Sequence, residues 1–238
     1  MPKISYIFFV EKILLIDKPA GITSHDVVDK VRRIFDTRRV GHAGTLDPFA
    51  TGLLIIGVGA ATKELAKYSG LDKTYLATAR LGATSTTEDP EGEIKVNMED
   101  GMWNAEDLNS KFHIPNSLAL ESALDRFRGG YEQTAPAFSA KKIKGKKLYE
   151  LARAGKLEGV ELPKKQISIS ELKIMNYAWP FLSFSVACSS GTYIRSLARD
   201  IGEALGCGAY LTELRRTKIG DFDIKDALTL DELAKKSA

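Results

Sequence analysis

The run Leu53–Val58, Leu-Leu-Ile-Ile-Gly-Val between Gly52 and Gly59, is the feature that most constrains the fold. A short, continuous apolar stretch bounded by glycines suits a central strand. Residues 41 to 54, Gly-His-Ala-Gly-Thr-Leu-Asp-Pro-Phe-Ala-Thr-Gly-Leu-Leu, lead straight into it and place a lone carboxylate, Asp47, in a glycine-punctuated loop. Gly41 and Gly44 permit backbone angles or close approaches that a side chain would block, and Pro48 stiffens the residue after the turn. Such a loop holds its carboxylate in one place and is where chemistry is expected. The same residues also read as an ordinary surface turn, because Asp followed by Pro is common turn chemistry.

The rest of the chain supplies elements to cover that strand. Tyr6–Ile16 reads as a buried strand leading into Asp17; Glu11 and Lys12 interrupt it, no small-residue cleavage site follows, and it is too short to span a bilayer. Ser24 is placed to cap a helix with Val27, Val31, Ile34 and Phe35 on one face and Arg32 and Arg33 on another. A helical segment is expected over Ala60–Tyr68, a strand over Lys73–Leu81, and a polar turn over Thr84–Glu93 containing Asp89-Pro90. Helices follow near Ala105–Phe112 and Ser117–Phe127. Over 129–147, Gly129, Gly130, Pro136 and Gly145 break the periodicity while lysines gather around Phe138 and Ile143, which predicts a mobile basic loop before a helix resumes at Leu148, Leu151 and Ala152.

Strands at about Gln166–Met175 and Phe181–Cys188 precede a helix over Tyr193–Leu205, with Ile194, Leu197, Ile201 and Leu205 as its core stripe and Arg195 off that stripe. A strand near Tyr210–Ile219 and a short helix end the chain. Without regular βαβ alternation or a fixed-period repeat, the class is α+β with a central mixed or antiparallel sheet and flanking helices. The 238 residues suffice for one large domain or two small ones.

Lys plus Arg exceed Asp plus Glu by 34 − 31 = 3, so the distribution of charge says more than its sum. Arg32, Arg33, Arg38 and Arg39 flank the approach to the Asp47 loop, and Lys141, Lys142, Lys144, Lys146 and Lys147 crowd together. Both clusters fit phosphate contacts, and either alone also fits a solvated charged face. Two cysteines, Cys188 and Cys207, make no disulfide scaffold and lack zinc-site spacing, which points to a reducing cytoplasm. The three histidines, His25, His42 and His113, have no metal-ligand spacing, so no metal is expected.

Gly41–Pro48 resembles the Gly-His-Xaa-Gly-Xaa-Leu-Asp-Pro motif of the TruB family, the bacterial tRNA pseudouridine-55 synthases. Four further blocks resemble the family in the same order: Asp17-Lys18-Pro19 with Gly21, Thr23 and Ser24; Lys73-Thr74-Tyr75; Ser190-Gly191-Thr192-Tyr193-Ile194-Arg195; and Leu214-Arg215-Arg216. The resemblance implies the pseudouridine synthase fold and a catalytic Asp47. It further implies RNA contact by His42, base stacking by Tyr75, and pocket positions for Tyr193 and Leu214. It also implies a basic, thumb-like RNA-clamping insertion at about 129–153 that carries the lysines. Lys18 and Pro19 are expected to support the loop, and Arg215 and Arg216 to make phosphate or structural contacts. Many members continue into a small carboxy-terminal RNA-binding (PUA-type) domain; with 1–238 read as one catalytic domain, none is expected here.

The implied reaction breaks the bond from uracil to ribose, turns the base and rejoins it through carbon 5, with no redox change and no cofactor. Asp47 is suited to attack the sugar carbon, attack the base ring, or remove a sugar proton. A free Asp, with pKa about 3.9, is ionised at neutral pH; burial under a flipped base opposes that charge and a nearby cation supports it. Arg195 is the candidate cation, and a surface charge or structural ion pair is its other reading. Tyr75 and Tyr193 read equally as strand or core aromatics. The expected partner is the T-arm of tRNA, for a monomer that needs no protein partner and no membrane. The competing readings are the catalytic subunit of an RNA-guided complex and a tRNA-folding chaperone without catalysis.

Overall fold

The structure is a computed structural model and describes residues 12–97, 114–143, 145–157 and 159–237. The elements begin with β1 (Lys12–Lys18), α1 (Ser24–Ile34), β2 (Val40–Ala43) and β3 (Thr51–Val58). A 3-10 turn, Gly59–Glu64, runs into α2 (Leu65–Ser69). Next come β4 (Lys73–Leu81), β5 (Ala83–Ser85), β6 (Ile94–Val96), α3 (Ser117–Asp125) and β7 (Tyr131–Thr134). They are followed by β8 (Lys142–Ile143), β9 (Lys146–Lys147), α4 (Leu148–Arg153), β10 (Lys164–Ile167), β11 (Ile169–Ala178) and β12 (Phe181–Cys188). The chain closes with α5 (Ile194–Ala204), β13 (Ala209–Ile219), β14 (Phe222–Asp223) and α6 (Leu230–Ser237). Among the described residues no helix is long and apolar enough to cross a membrane. The chain divides into two compact units, Met1–Lys73 with Arg215–Ala238, and Thr74–Leu214.

In the first unit β3 is the centre. β1 runs antiparallel along it, with Lys12 opposite Val58 and Lys18 opposite Gly52. β2 also pairs with it antiparallel, while Arg215 and Arg216 of β13 lie parallel to Thr51 and Gly52, so the sheet is mixed. Leu54, Ile56 and Val58 pack with Ile16, with Val27, Val28 and Val31 of α1, and with Leu230 and Leu233 of α6. Leu53 and Ile55 pack the other way, with Ala43, Ile219, Leu65, Tyr68 and Leu71. Both faces of β3 are covered, which is why its sequence is continuously apolar rather than alternating. Each buried Leu, Ile or Val there contributes ~1.5–3 kcal/mol relative to exposure, enough to fix the register of the strand.

The start of α1 differs from expectation. Thr23, not Ser24, is the cap: its backbone is extended, its Oγ1 accepts from the Asp26 N–H at 3.0 Å, and the Asp26 carboxylate accepts from the Thr23 N–H at 2.7 Å. Ser24 is already helical, and its hydroxyl turns inward.

In the second unit the strand order is β13, β4, β12, β11. β12 alternates as a half-buried strand should, with Leu182, Phe184, Val186 and Cys188 inside. On α5, Ile194, Leu197 and Ile201 are buried as their spacing predicts, and Leu205 is half-buried just past its end. β7 pairs antiparallel with β10, Tyr131 opposite Ile167 and Thr134 opposite Lys164. Within the expected basic loop at 129–147 the chain forms β7 and a short ladder in which Ile143 of β8 lies opposite Lys146 of β9, with Gly145 at φ +84° just before β9. The expected helix at Ala105–Phe112 and the opening residues Tyr6–Glu11 lie outside the described residues.

Gly52 sits at φ +108°, and a Cβ there would stand 2.3 Å from the Arg216 carbonyl oxygen. Gly52→Ala is therefore expected to cost about 2 kcal/mol or more, read as a lower urea midpoint with little change in m-value. An unchanged midpoint would show that the β3–β13 step tolerates a side chain.

Candidate active site

β2 delivers the chain into residues 44–50 and β3 carries it away. Gly44, at φ +85°, makes a turn that residues with a Cβ rarely adopt. Three buried polar side chains then hold the loop by its backbone. Lys18, 0% exposed at the end of β1, donates to the Pro48 carbonyl at 3.2 Å and to the carbonyls of Pro19 at 2.9 Å and Ile22 at 2.7 Å. Ser24, 1% exposed, accepts from the Leu46 N–H at 2.9 Å and donates to the Leu46 carbonyl at 3.1 Å. Arg216, 1% exposed, donates through Nε to Leu53 O at 2.7 Å, through Nη2 to Gly44 O at 3.1 Å and through Nη1 to Thr45 O at 3.4 Å.

The Gly21 N–H adds a bond to Pro48 O at 2.9 Å, and the Ala50 N–H bonds Asp47 O at 3.1 Å. Asp47, half-buried, is thus bracketed by Gly44, Thr45, Leu46 and Pro48, each gripped from elsewhere in the unit. This is the arrangement expected of a positioned carboxylate and not of a free surface turn. Lys18 supports the loop as the sequence suggests. Arg215 and Arg216 are structural: Arg215 forks onto Asp17 at 2.7 and 3.1 Å and reaches the Thr51 hydroxyl at 3.3 Å, tying β1, β3 and β13 together.

His42 lies on β2, half-buried, and its Nδ1 is buried with no hydrogen-bond partner among the described residues. Burial pushes its pKa below the ordinary imidazole value, and the Arg216 guanidinium pushes the same way. The ring is neutral at neutral pH.

In the second unit, Tyr75 is buried on β4, Leu214 is buried on β13, and Tyr193 is the N-cap of α5. Arg195, in the first turn of α5, is buried, although it lies off the stripe the periodicity defines. It donates to Thr87 O at 2.7 Å and Phe138 O at 3.0 Å, and its Nη1 lies 3.4 Å from the buried Asp89 carboxylate. It is not a surface charge. Glu88, between Thr87 and Asp89, has φ +64°; its carboxylate accepts from Ser196 Oγ at 2.9 Å and pairs with Arg199. Burial pushes the Glu88 pKa up, and Arg199 opposes the rise. Tyr131 donates its hydroxyl to Asp200 at 2.7 Å.

Two family models divide the chain. Residues 32–194 match the TruB family pseudouridylate synthase (N terminal domain), and residues 195–238 match the tRNA pseudouridylate synthase B C-terminal domain. The chain belongs to the TruB family. The tRNA pseudouridine synthase B of Mycobacterium tuberculosis is 45% identical over 230 residues, spanning 95% of this chain and 72% of that relative. The protein of the same name from Thermobifida fusca is 44% identical over 230 residues, spanning 93% and 74%. Among solved structures, a chain of a Cbf5–Nop10–Gar1 complex superposes with a TM-score of 0.70 at 26% identity, covering 99% of this chain and 56% of that one. This chain therefore spans little more than half of that neighbour. As a TruB-family pseudouridylate synthase, it is an isomerase with the α+β fold of its class.

Of the lysines expected at RNA phosphates, Lys141, Lys142 and Lys146 are exposed, on and beside the TruB chain's β8–β9 hairpin. Lys147 is half-buried, with its Nζ 3.2 Å from the Tyr149 hydroxyl. Lys144 lies outside the described residues. Sequence reading missed Ser24 and Arg216 as loop holders, and Asp89, Glu88 and Gln133 as partners of α5. Burial of a polar residue was the one available signal: Arg216 and Gln133 sit among alternating strand positions that face inward.

The depressed His42 pKa has a consequence for stability. The unfolded chain binds a proton on this ring near pH 6.5 and the folded chain binds it only at lower pH, so stability should fall as pH drops below about 6.5. His42→Gln is expected to flatten that decline in a pH series of urea midpoints. An identical slope in both proteins would contradict a neutral, buried ring.

Proposed function

We propose that this chain is a stand-alone tRNA pseudouridine synthase that converts uridine 55 in the T-loop to pseudouridine, with Asp47 as its catalytic residue. The observation that carries the reading is the loop itself. A half-buried carboxylate sits in the family motif with the backbone on both sides of it anchored by Lys18, Ser24 and Arg216. Identity of 45% across 95% of the chain with proteins named tRNA pseudouridine synthase B supports tRNA as the substrate.

The target uridine must leave its stack, at a cost of a few kcal/mol, before any atom of it can reach a carboxylate. The bond from the base to the ribose then breaks, the base turns, and a new bond forms from the ribose to carbon 5. The proton on carbon 5 leaves to solvent, and the ring nitrogen released from the sugar takes up a proton. Asp47 serves the first step, by attack on the sugar carbon, by attack on the ring, or by removing a sugar proton. Tyr75, Tyr193, Arg195 and Leu214 are proposed to receive the base, and His42 to contact the extruded RNA. A neutral imidazole suits that role, because it offers one donor and one acceptor without adding charge. Lys141, Lys142, Lys144, Lys146 and Lys147 are proposed to meet RNA phosphates from the insertion at 129–153, as exposed lysines do at a polyanion.

The likeness to a chain of the Cbf5–Nop10–Gar1 complex raises the second reading, a catalytic subunit of a larger RNA-guided assembly. The higher identity to the tRNA enzymes, 45% against 26%, favours action without protein partners. The chaperone reading gives the anchored carboxylate no task.

Asp47→Asn, which keeps the shape of the side chain and removes its charge, is expected to abolish label release from carbon 5 of uridine in a T-arm RNA. RNA binding should stay within about twofold. Substantial turnover by the variant would remove Asp47 from its role; release only after a guide RNA is added would favour the second reading.

A further inference from the structure

We infer that Gln133 is a positioning residue that locks the first turn of α5, and with it Tyr193 and Arg195, to the strand that opens the basic insertion. The inference rests on the proposed function above. Its geometry lies entirely within the second unit.

α5 starts without a cap of its own. Tyr193, its N-cap, makes no side-chain capping bond, and no acidic residue occupies the first turn. The third helical residue, Ser196, gives its hydroxyl to Glu88 at 2.9 Å instead of turning back to the cap. α1 shows the usual solution, a reciprocal capping box between Thr23 and Asp26. In α5 the missing half of that box comes from β7. Gln133 Oε1 accepts from the Tyr193 N–H at 2.8 Å, the bond a capping-box acid would make, and Gln133 Nε2 donates to the Tyr193 carbonyl at 3.0 Å.

Gln133 is 2% exposed. Its remaining donor contact, 2.9 Å to the Tyr131 hydroxyl, is itself fixed by the bond from Tyr131 to Asp200 at 2.7 Å. A glutamine held at both ends of its amide cannot rotate without breaking a buried hydrogen bond. The same stretch grips the helix at two further points: Phe138 O accepts from Arg195 Nη2 at 3.0 Å, and Thr134 O accepts from Arg199 Nη2 at 3.4 Å. Residues 131–138 thus lie along α5 and touch it at residues 193, 195, 199 and 200.

Three residues after Phe138 the exposed lysines begin, at Lys141. RNA held on the β8–β9 hairpin pulls on a strap whose other end is hydrogen-bonded to Tyr193 and Arg195. Gln133 is the joint at which engagement of the insertion is transmitted to those two residues.

The test uses the full chain with Gln133→Leu, which roughly keeps the volume and removes all three amide contacts, and Gln133→Asn, which keeps the amide but shortens its reach. Single-turnover label release, affinity for a T-arm RNA, thermal midpoint, and amide exchange over 189–197 are measured for each. A misplacement of about 1 Å costs on the order of 100-fold in rate. Both variants should therefore isomerise about 10- to 100-fold more slowly, bind RNA within about twofold of the intact protein, and exchange faster over 189–197. A rate that is unchanged, or that falls only in step with the thermal midpoint and returns on cooling, would mean a merely structural glutamine and would overturn the inference. If the intact protein itself releases no label, the proposed function fails. The exchange data then decide alone, and unaltered protection over 189–197 would overturn the role of Gln133.

Discussion

Everything in the first unit turns on two cations that have no access to water. Lys18, at the end of β1, and Arg216, within β13, are buried on either side of β3, and removing such charges from solvent costs several kcal/mol each unless fixed dipoles replace the water. Those dipoles are the carbonyl groups of the Asp47 loop and its neighbours: Gly44, Thr45, Pro48 and Leu53. The dependence is mutual. The loop satisfies the cations, and the cations leave the loop one shape. Since Lys18 and Arg216 both sit at the β3 step, opposite and parallel to Gly52, the apolar register of the strand sets the position of the carboxylate. Packing thereby becomes preorganisation, the form in which a folded protein best supplies catalysis.

The second unit uses the same device with a different donor set. Its turn at Thr87, Glu88 and Asp89 holds a left-handed residue and two carboxylates against the first two turns of α5, where Arg195, Ser196 and Arg199 answer them. A buried network of this kind is stable only when all its members are satisfied, so each contact constrains the next. Gln133 closes the network at the helix start. In both units a local turn with strained or glycine-dependent backbone is restrained by side chains that come from far along the chain, from β1, α1 and β13 in the first unit and from α5 in the second.

The central elements were legible from apolar patterning, a continuous run in β3 and a helical period in α5. Leu53–Val58 announced a strand covered on both sides, and the spacing of Ile194, Leu197 and Ile201 announced the buried face of α5. The Asp47 loop was legible as a motif, and Lys18 as its support. The cap of α1 was misplaced by one residue because Thr23 and Ser24 are chemically equivalent candidates; only backbone geometry makes Thr23 the cap and sends Ser24 to Leu46. Arg195 lay off the apolar stripe, with a surface charge among its readings, because helical spacing records apolar burial and is blind to an arginine that enters the interior on hydrogen bonds. The hairpin at 142–147 was hidden because its strands are two residues each, too short for any period to register. Gln133 showed only an inward-facing strand position and Asp89 only a turn residue, since their partners on α5 lie far along the chain.

The most direct test of the central claim is to incubate the intact protein, without guide RNA or other protein, with an unmodified tRNA transcript and map pseudouridine at single-nucleotide resolution. One new pseudouridine is expected, at uridine 55 of the T-loop. Tight binding of the transcript with no new pseudouridine, or modification at other positions with uridine 55 untouched, would contradict it.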